Sequence, residues 1–243
     1  MNTNNTLEKM KQMKLSAMAS VYQRSMSDGN YSDYTIDEFI ALLVDTEWEN
    51  RENRKIEQLT KSAGFKSTTV NIDYSSNRNL DKNMFERLLT LQFIKKAENI
   101  VITGPSGVGK SYLAQAIGNI ACRELTKVLY YNTTKLQEEV KIAKLQGTYL
   151  NLIKKMKKAD LLILDDFGLT ALDITDRQAF FEIIEDRYDT QSTIITSQIP
   201  VKGWHEIIGE GTIADAILDR IAYSSHRIEL NGESLRKKRK IDA

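Results

Sequence analysis

Hydrophobic residues near the start of this chain recur three and four apart. Leu7, Met10, Leu15, Met18, Val21 and Tyr22 keep roughly that spacing, the period of a helix with one buried face. At Thr35–Glu38 the tetrapeptide TIDE is a capping box, in which the threonine hydroxyl and glutamate carboxylate serve each other's backbone N–H groups. The helix it opens runs to about Ala63, where Gly64 supplies a stop. Residues 1–65 therefore read as a small all-helical N-terminal domain, with Trp48 and Tyr34 as core-packing residues or, as the alternative, a partner contact. The polar stretch KSTTVNIDYSSNRN, 66–79, reads as a linker.

From about residue 80 the pattern changes. Short apolar runs appear at 100–103 (IVIT), 128–131 (VLYY), 161–164 (LLIL), 193–196 (TIIT) and 226–230 (HRIEL). Stretches of helical length separate them, two opened by threonine with glutamine three residues on, Thr134/Gln137 and Thr175/Gln178. Strands alternating with helices predict an α/β domain over 80–230, with a five-stranded, mainly parallel sheet flanked by helices. Residues 231–243 form a basic tail.

Composition narrows the class. The chain has 243 residues, 41% hydrophobic and 28% charged, as in a globular protein of one large domain or a medium one plus a small one. No apolar run is long enough to cross a bilayer, and the N-terminus lacks the apolar core of a secretion signal. A single cysteine, Cys122, precludes an internal disulfide and suits a reducing compartment; it reads as a small buried residue. The expected location is the cytoplasm. The net charge of +1 hides opposed blocks: an excess of +6 over 127–158, −10 over 160–219, and +4 from 220 onward, with RKKRK at 236–240. Such a split points to an anionic ligand, an anionic partner or self-association.

The chemistry begins straight after the first apolar strand. Gly104, Pro105, Ser106, Gly107, Val108, Gly109, Lys110 and Ser111 form the pattern GxxxxGKS, with Tyr112 opening an amphipathic run. Glycines let the backbone curl so that successive N–H groups face phosphate oxygens, and the following helix adds its positive end. Lys110 can reach the β- and γ-phosphates, and the Ser111 hydroxyl can bind Mg²⁺. LLILDDFG, 161–168, ends a buried strand in two acids. Asp165 is placed to hold Mg²⁺ through water, and Asp166 to orient and polarise an attacking water.

Taken with that loop and LLILDDFG, the segments IITSQIP (194–200), AILDRI (216–221) and RIELNGESLRKKRK (227–240) resemble the IstB/DnaC group of AAA+ ATPases, most closely its IstB branch. The resemblance covers essentially the whole chain. It implies a P-loop AAA+ core binding ATP and Mg²⁺, with Gln198, or its neighbour Ser197, as a polar sensor between γ-phosphate and water. It implies too that Arg220 is an arginine finger reaching into an adjacent subunit, so that the protein self-associates. The chain departs from the general pattern in Asp166, where glutamate is common, and in Gln198, where asparagine is common. The tail is too short for a C-terminal helical lid, so a second sensor has to come from Arg236 or be absent. Function by resemblance is an ATP-switched assembly that binds duplex DNA and assists a cognate transposase; the alternative is a DnaC-type loader of a replicative helicase. Lys141, Lys144, Lys154, Lys155, Lys157 and Lys158 are the candidate phosphate-backbone contacts.

Overall fold

The computed structural model describes residues 3–75, 78–209, 211–223 and 225–235. The chain forms two units that divide between Gln58 and Leu59. The first holds α1 (Thr3–Gln12), α2 (Ser16–Asp28) and most of α3 (Ile36–Ala63). The capping box forms as its sequence dictates: Thr35 donates its N–H to Glu38 Oε2 at 2.8 Å, and Glu38 N–H reaches Thr35 Oγ1 at 3.3 Å. Leu7, Ala19 and Leu43 are buried here. Ile36, Ile40, Val44 and Trp48, four apart on α3, are exposed, as is Tyr34. The expectation that Trp48 and Tyr34 pack inside is therefore overturned: Trp48 lies with Ile36, Ile40 and Val44 on α3, away from buried Leu43 and Glu47, and Tyr34 is exposed just before that helix.

In the second unit α4 (Lys82–Leu89) and the short α5 (Gln92–Lys95) lead into β1 (Asn99–Thr103). Then follow α6 (Lys110–Arg123), β2 (Val128–Asn132), α7 (Thr133–Leu145), α8 (Tyr149–Lys157), β3 (Leu161–Phe167), α9 (Ile174–Arg187) and β4 (Ser192–Ser197). The chain continues through α10 (Trp204–Ile208), α11 (Gly211–Leu218) and a π-helical turn, Asp219–Tyr223, to β5 (Ser225–Glu229). All five expected strands are present. They pair in the order β2-β3-β4-β1-β5, every pair parallel.

Each sheet face buries its own apolar layer. Ile100, Ile102, Ile163 and Ile194 pack with Phe85 of α4 and Leu113 and Ile117 of α6. Val101, Leu162, Leu164 and Ile195 pack with Leu136 of α7, Ile183 of α9 and Trp204 of α10. The helix after β1 thus covers one face, and those after β2 and β3 cover the other. A crevice opens at the carboxyl ends of the strands where the chain switches faces, the usual ligand position in such sheets.

Two helix starts differ from expectation. Asn132, not Thr134, caps α7 by accepting from Lys135 N, and Asp173 with Asp176 forms the capping box of α9 in place of Thr175/Gln178. Both helices begin one or two residues earlier than those threonines, where Asn and Asp are the stronger caps. The stretch 66–79 also does more than connect. Phe65, Ile72 and Tyr74 pack against the core, and Arg78 is buried. No helix among the described residues is long and apolar enough to cross a membrane.

Candidate active site

The loop from Gly104 to Gly109 turns sharply between β1 and α6. Gly104, Gly107 and Gly109 hold φ of 146°, 83° and 99°, a region that side chains other than glycine's resist. All three also admit a close neighbour: a Cβ on Gly104 would collide with the Leu230 carbonyl, one on Gly107 with the Ser234 hydroxyl, and one on Gly109 with the Arg78 guanidinium. Lys110 opens α6 almost fully buried, its ammonium donating to Gly104 O at 2.7 Å and Pro105 O at 2.8 Å. The lysine thus braces the loop that it extends. Val108 is buried beneath it.

A cavity of about 340 Å³ opens at this loop, lined by Ser106, Gly107, Gly109, Lys110, Ser111 and Tyr112 from one side and by Asp166 and Gln198 from the other. Asp166 reaches it through an irregularity in β3. Register with β4 shifts between Leu164 and Phe167, and Asp166 takes φ 60°, a conformation aspartate tolerates better than most side chains. Its N–H is caught by Thr196 Oγ1 at 3.0 Å and its Oδ2 by the Asn132 amide at 3.1 Å.

Asp165, one residue earlier, has a different setting. It is fully buried between β2 and β4, accepting from the Tyr130 hydroxyl and the Thr196 hydroxyl at 2.5 Å each. Burial, then the Asp165 carboxylate, push the Tyr130 phenol far above its ordinary range, so it stays a donor. Each Asp165 oxygen keeps a further lone pair beyond its hydroxyl partner, yet the side chain is not part of the cavity lining. Thr196 ties the two acids together, donating to one and accepting from the backbone of the other. Neither Thr196 nor Tyr130 stands out in the sequence, because hydroxyls inside buried strands look like ordinary β-formers.

Ser197 and Gln198 part in the same way. The Ser197 hydroxyl is buried, donating to Phe167 O at 2.7 Å and accepting from Ile199 N at 3.0 Å, whereas Gln198 lines the cavity. Arg220 lies elsewhere on the fold, on the π-helical turn. Its guanidinium rests over the rings of Phe181 and Tyr188 at 5.7 and 5.6 Å, pairs with Glu185 and donates to Ala216 O at 3.0 Å. It does not line its own chain's cavity. Arg236 lies outside the described residues.

Sequence reasoning missed the wall supplied by the stretch before α4. Asn71, Asp73 and Arg78 line the cavity. Asn71 and the Tyr112 hydroxyl bond reciprocally at 2.6 and 2.7 Å. One turn along α6, Gln115 accepts from Lys66 N and Ser67 N, and Asn119 donates to Ser67 O. The signal was there: Gln115 and Asn119 are polar residues spaced four apart in an otherwise apolar helix. Leu235 closes the opposite rim, its N–H bonded to Gly107 O at 3.0 Å, so the residues after β5 run across the phosphate loop.

The six candidate lysines stand apart from this cavity. Lys141 pairs with Asp173 at 2.7 Å, which draws that carboxyl down to about 2, and Lys157 pairs with Asp186 at 3.0 Å. Lys144 and Lys155 sit over the Tyr149 and Tyr131 rings, while Lys154 and Lys158 are exposed on or beside α8. Tyr149 is half-buried and donates to Glu182, as a packing residue does.

Residues 8–243 match the family described as IstB-like ATP binding protein. The chain belongs to that family. An insertion-sequence ATP-binding protein of Sinorhizobium fredii (strain NBRC 101917 / NGR234) is 43% identical over 234 residues, 96% of either chain. The ATP-binding protein of insertion sequence IS21 from Pseudomonas aeruginosa is 29% identical over 97% of this chain and 88% of its own. Among solved structures, DnaI superposes with a TM-score of 0.58 at 23% identity, covering 72% of this chain and 93% of that one. The DnaC helicase loader gives 0.53 at 21% identity, covering 66% and 96%. The IstB-like chain thus has the P-loop AAA+ fold that its motifs predict.

The residues present fit a magnesium nucleotide. The cavity presents an ammonium, a helix N-terminus and a serine hydroxyl, the donor set a polyphosphate takes. Among the described residues no group of three or more His, Cys, Asp or Glu side chains could hold a metal ion. A cation arriving with a nucleotide would draw ligands from phosphate and water as well as from Ser111, as Mg²⁺ does.

Proposed function

We propose that this IstB-like protein binds and hydrolyses ATP, assembles with other copies of itself, and in that state holds duplex DNA for the transposase of its insertion sequence. The observation that carries the ATPase reading is the convergence of Lys110, Ser111, Asp166 and Gln198 on one cavity at the strand ends. Bound Mg²⁺ would neutralise phosphate charge, with Ser111 as ligand and Asp165 reached through water. Lys110 leaves its loop carbonyls to meet phosphate oxygens. Asp166, held by Asn132 and Thr196, orients the attacking water and takes its proton. Gln198 donates to the same region, and Ser197 fixes the strand end beneath it.

Arg220 acts in trans. It sits away from its own cavity on a π-helical turn, a local irregularity common at functional sites, and its guanidinium would exchange the Glu185 carboxylate for a phosphoryl group across a subunit boundary. The transposase is favoured over a helicase as client because the relatives alike over nearly their full length are insertion-sequence proteins, whereas DnaC and DnaI resemble this chain at the level of fold.

DNA binding rests on Lys154 and Lys158 together with pairs that open cheaply. Exposed ion pairs such as Lys157–Asp186 contribute little and exchange readily for phosphate. The test is duplex binding by fluorescence anisotropy with and without ATP across a salt series. ATP-dependent binding that weakens steeply with salt is expected; binding indifferent to nucleotide and salt overturns the reading. Pull-down against an insertion-sequence transposase and against the replicative helicase separates the two clients.

A further inference from the structure

We propose that Arg78 is a second cation for the phosphates of the bound nucleotide, supplied in cis by the stretch that precedes the first strand. The proposal rests on the nucleotide reading above and assigns a residue which that reading does not use. Arg78 is only 3% exposed and lines the cavity. Nη1 donates to Val108 O at 3.3 Å and Nη2 to Asp73 O at 2.8 Å, both neutral carbonyls. Its Nε is buried with no hydrogen-bond partner among the described residues. A buried donor left unmet is costly, and a guanidinium cannot shed its charge to escape that cost. Burial disfavours the cation and the Asp73 carboxylate opposes that effect, but Asp73 is exposed at the rim and bonds Ser75 N and Oγ.

Position shows which group the guanidinium as a whole is offered to. Nη1 lies 2.6 Å from where a Cβ on Gly109 would stand, so the phosphate loop packs directly on the guanidinium. Gly109 is the residue before α6, at the positive end of that helix. An acceptor that enters this cavity, meets a helix N-terminus and satisfies a planar guanidinium is a phosphate oxygen. The arrangement also gives Gly109 a second reason to lack a side chain, since alanine there would displace Arg78. Asn231 N–H donates to Arg78 O at 3.0 Å, which ties the same residue to the strap that crosses the loop.

The experiment uses the full chain with Arg78→Met, close in volume but neutral, and Arg78→Lys, which keeps charge without the fork. Affinities for ATP, ADP, GTP and adenosine are measured by calorimetry, and thermal unfolding is followed with and without ADP. The expected result is that Arg78→Met weakens ATP and ADP alike, on the order of tenfold to hundredfold. Arg78→Lys should lose less, adenosine binding and the ATP-to-GTP preference should stay as in the wild type, and the rise in melting temperature on adding ADP should be smaller for Arg78→Met than for the wild type, whatever the two released carbonyls do to the ligand-free value. A merely structural arginine would instead lower the ligand-free melting temperature while ADP affinity stayed put, which overturns the proposal. Loss of the ATP-to-GTP preference would make it a base contact and overturns it equally. If the wild-type chain binds no nucleotide, the parent reading fails. If the wild type binds and both variants match it, only this assignment fails.

Discussion

Two adjacent aspartates take different settings because the strand carrying them is irregular. In a regular strand Asp165 and Asp166 would point to opposite faces. Asp165 stays in the sheet, clasped by Tyr130 and Thr196, while the bulge and left-handed backbone at Asp166 turn its carboxylate toward the phosphate loop. Asp166→Asn should lower ATP hydrolysis by about 100-fold or more, the usual scale for a lost general base, with ATP affinity nearly intact. Asp165→Asn should raise the Mg²⁺ concentration needed for half-maximal turnover. Magnesium titrations of both variants check this; if the Mg²⁺ requirement moves with Asp166 instead, the two roles are exchanged. Asp166 and Lys110 were legible from type and spacing. Thr196, which sets both acids, was not, since its role exists only where β3 and β4 meet.

At the scale of elements, buried polar residues staple the fold. Arg187, at the end of α9, is only 2% exposed and donates to Met156 O, Ala159 O and Ser192 O and to the Thr193 hydroxyl. It joins the end of α8 to the starts of β3 and β4, and burial pulls its pKa down to about 10. Arg187→Met strands several carbonyls at once and should cost about 3 kcal/mol or more in urea denaturation. In the first unit Glu47 reaches from α3 to the open start of α2, accepting from Ala17 N and Met18 N while pairing with Arg51. Burial raises the Glu47 pKa, but Arg51 and the two N–H groups outweigh it and hold the carboxyl below its ordinary 4.5. Its contribution to stability is therefore complete above that value and is lost as pH falls through the lowered one. Denaturation between pH 6 and 3 should show a slope that Glu47→Gln flattens, and an unchanged slope would remove Glu47 from the account. Helices and strands were visible in the periodicity; these staples were not, because each reads as one more surface charge.

At the scale of the molecule, Arg220 lies outside its own chain's cavity, against Phe181, Tyr188 and Glu185. Lys110→Ala and Arg220→Ala should each abolish turnover alone, and mixing the two proteins should restore part of it. In the mixture an intact cavity on one subunit meets an intact arginine on its neighbour. Steady-state ATPase rates of the mixture decide this, and a mixture as inactive as its parts rules out action in trans. The opposed charge blocks gain a partial explanation here, for Lys141 and Lys157 from the basic block pair with Asp173, Asp176 and Asp186 from the acidic one.

What the sequence determined by itself was local: where strands and helices run, which loop turns sharply between β1 and α6, and which residue types that turn and the end of β3 carry. Those features depend on hydrophobic period, backbone permissiveness and side-chain chemistry, all carried within a few residues of chain. Tertiary structure alone decided which hydroxyls clasp Asp165, that Gln198 rather than Ser197 faces the cavity, and that Asn71, Asp73 and Arg78 form its far wall. It also decided that Leu235 closes the rim and that Trp48 stays outside. The cavity contacts depend on which strands become neighbours and on how a polar stretch folds back over α6, and Trp48 on which face of α3 is covered. Such contacts join residues distant in the chain, and no local pattern encodes them.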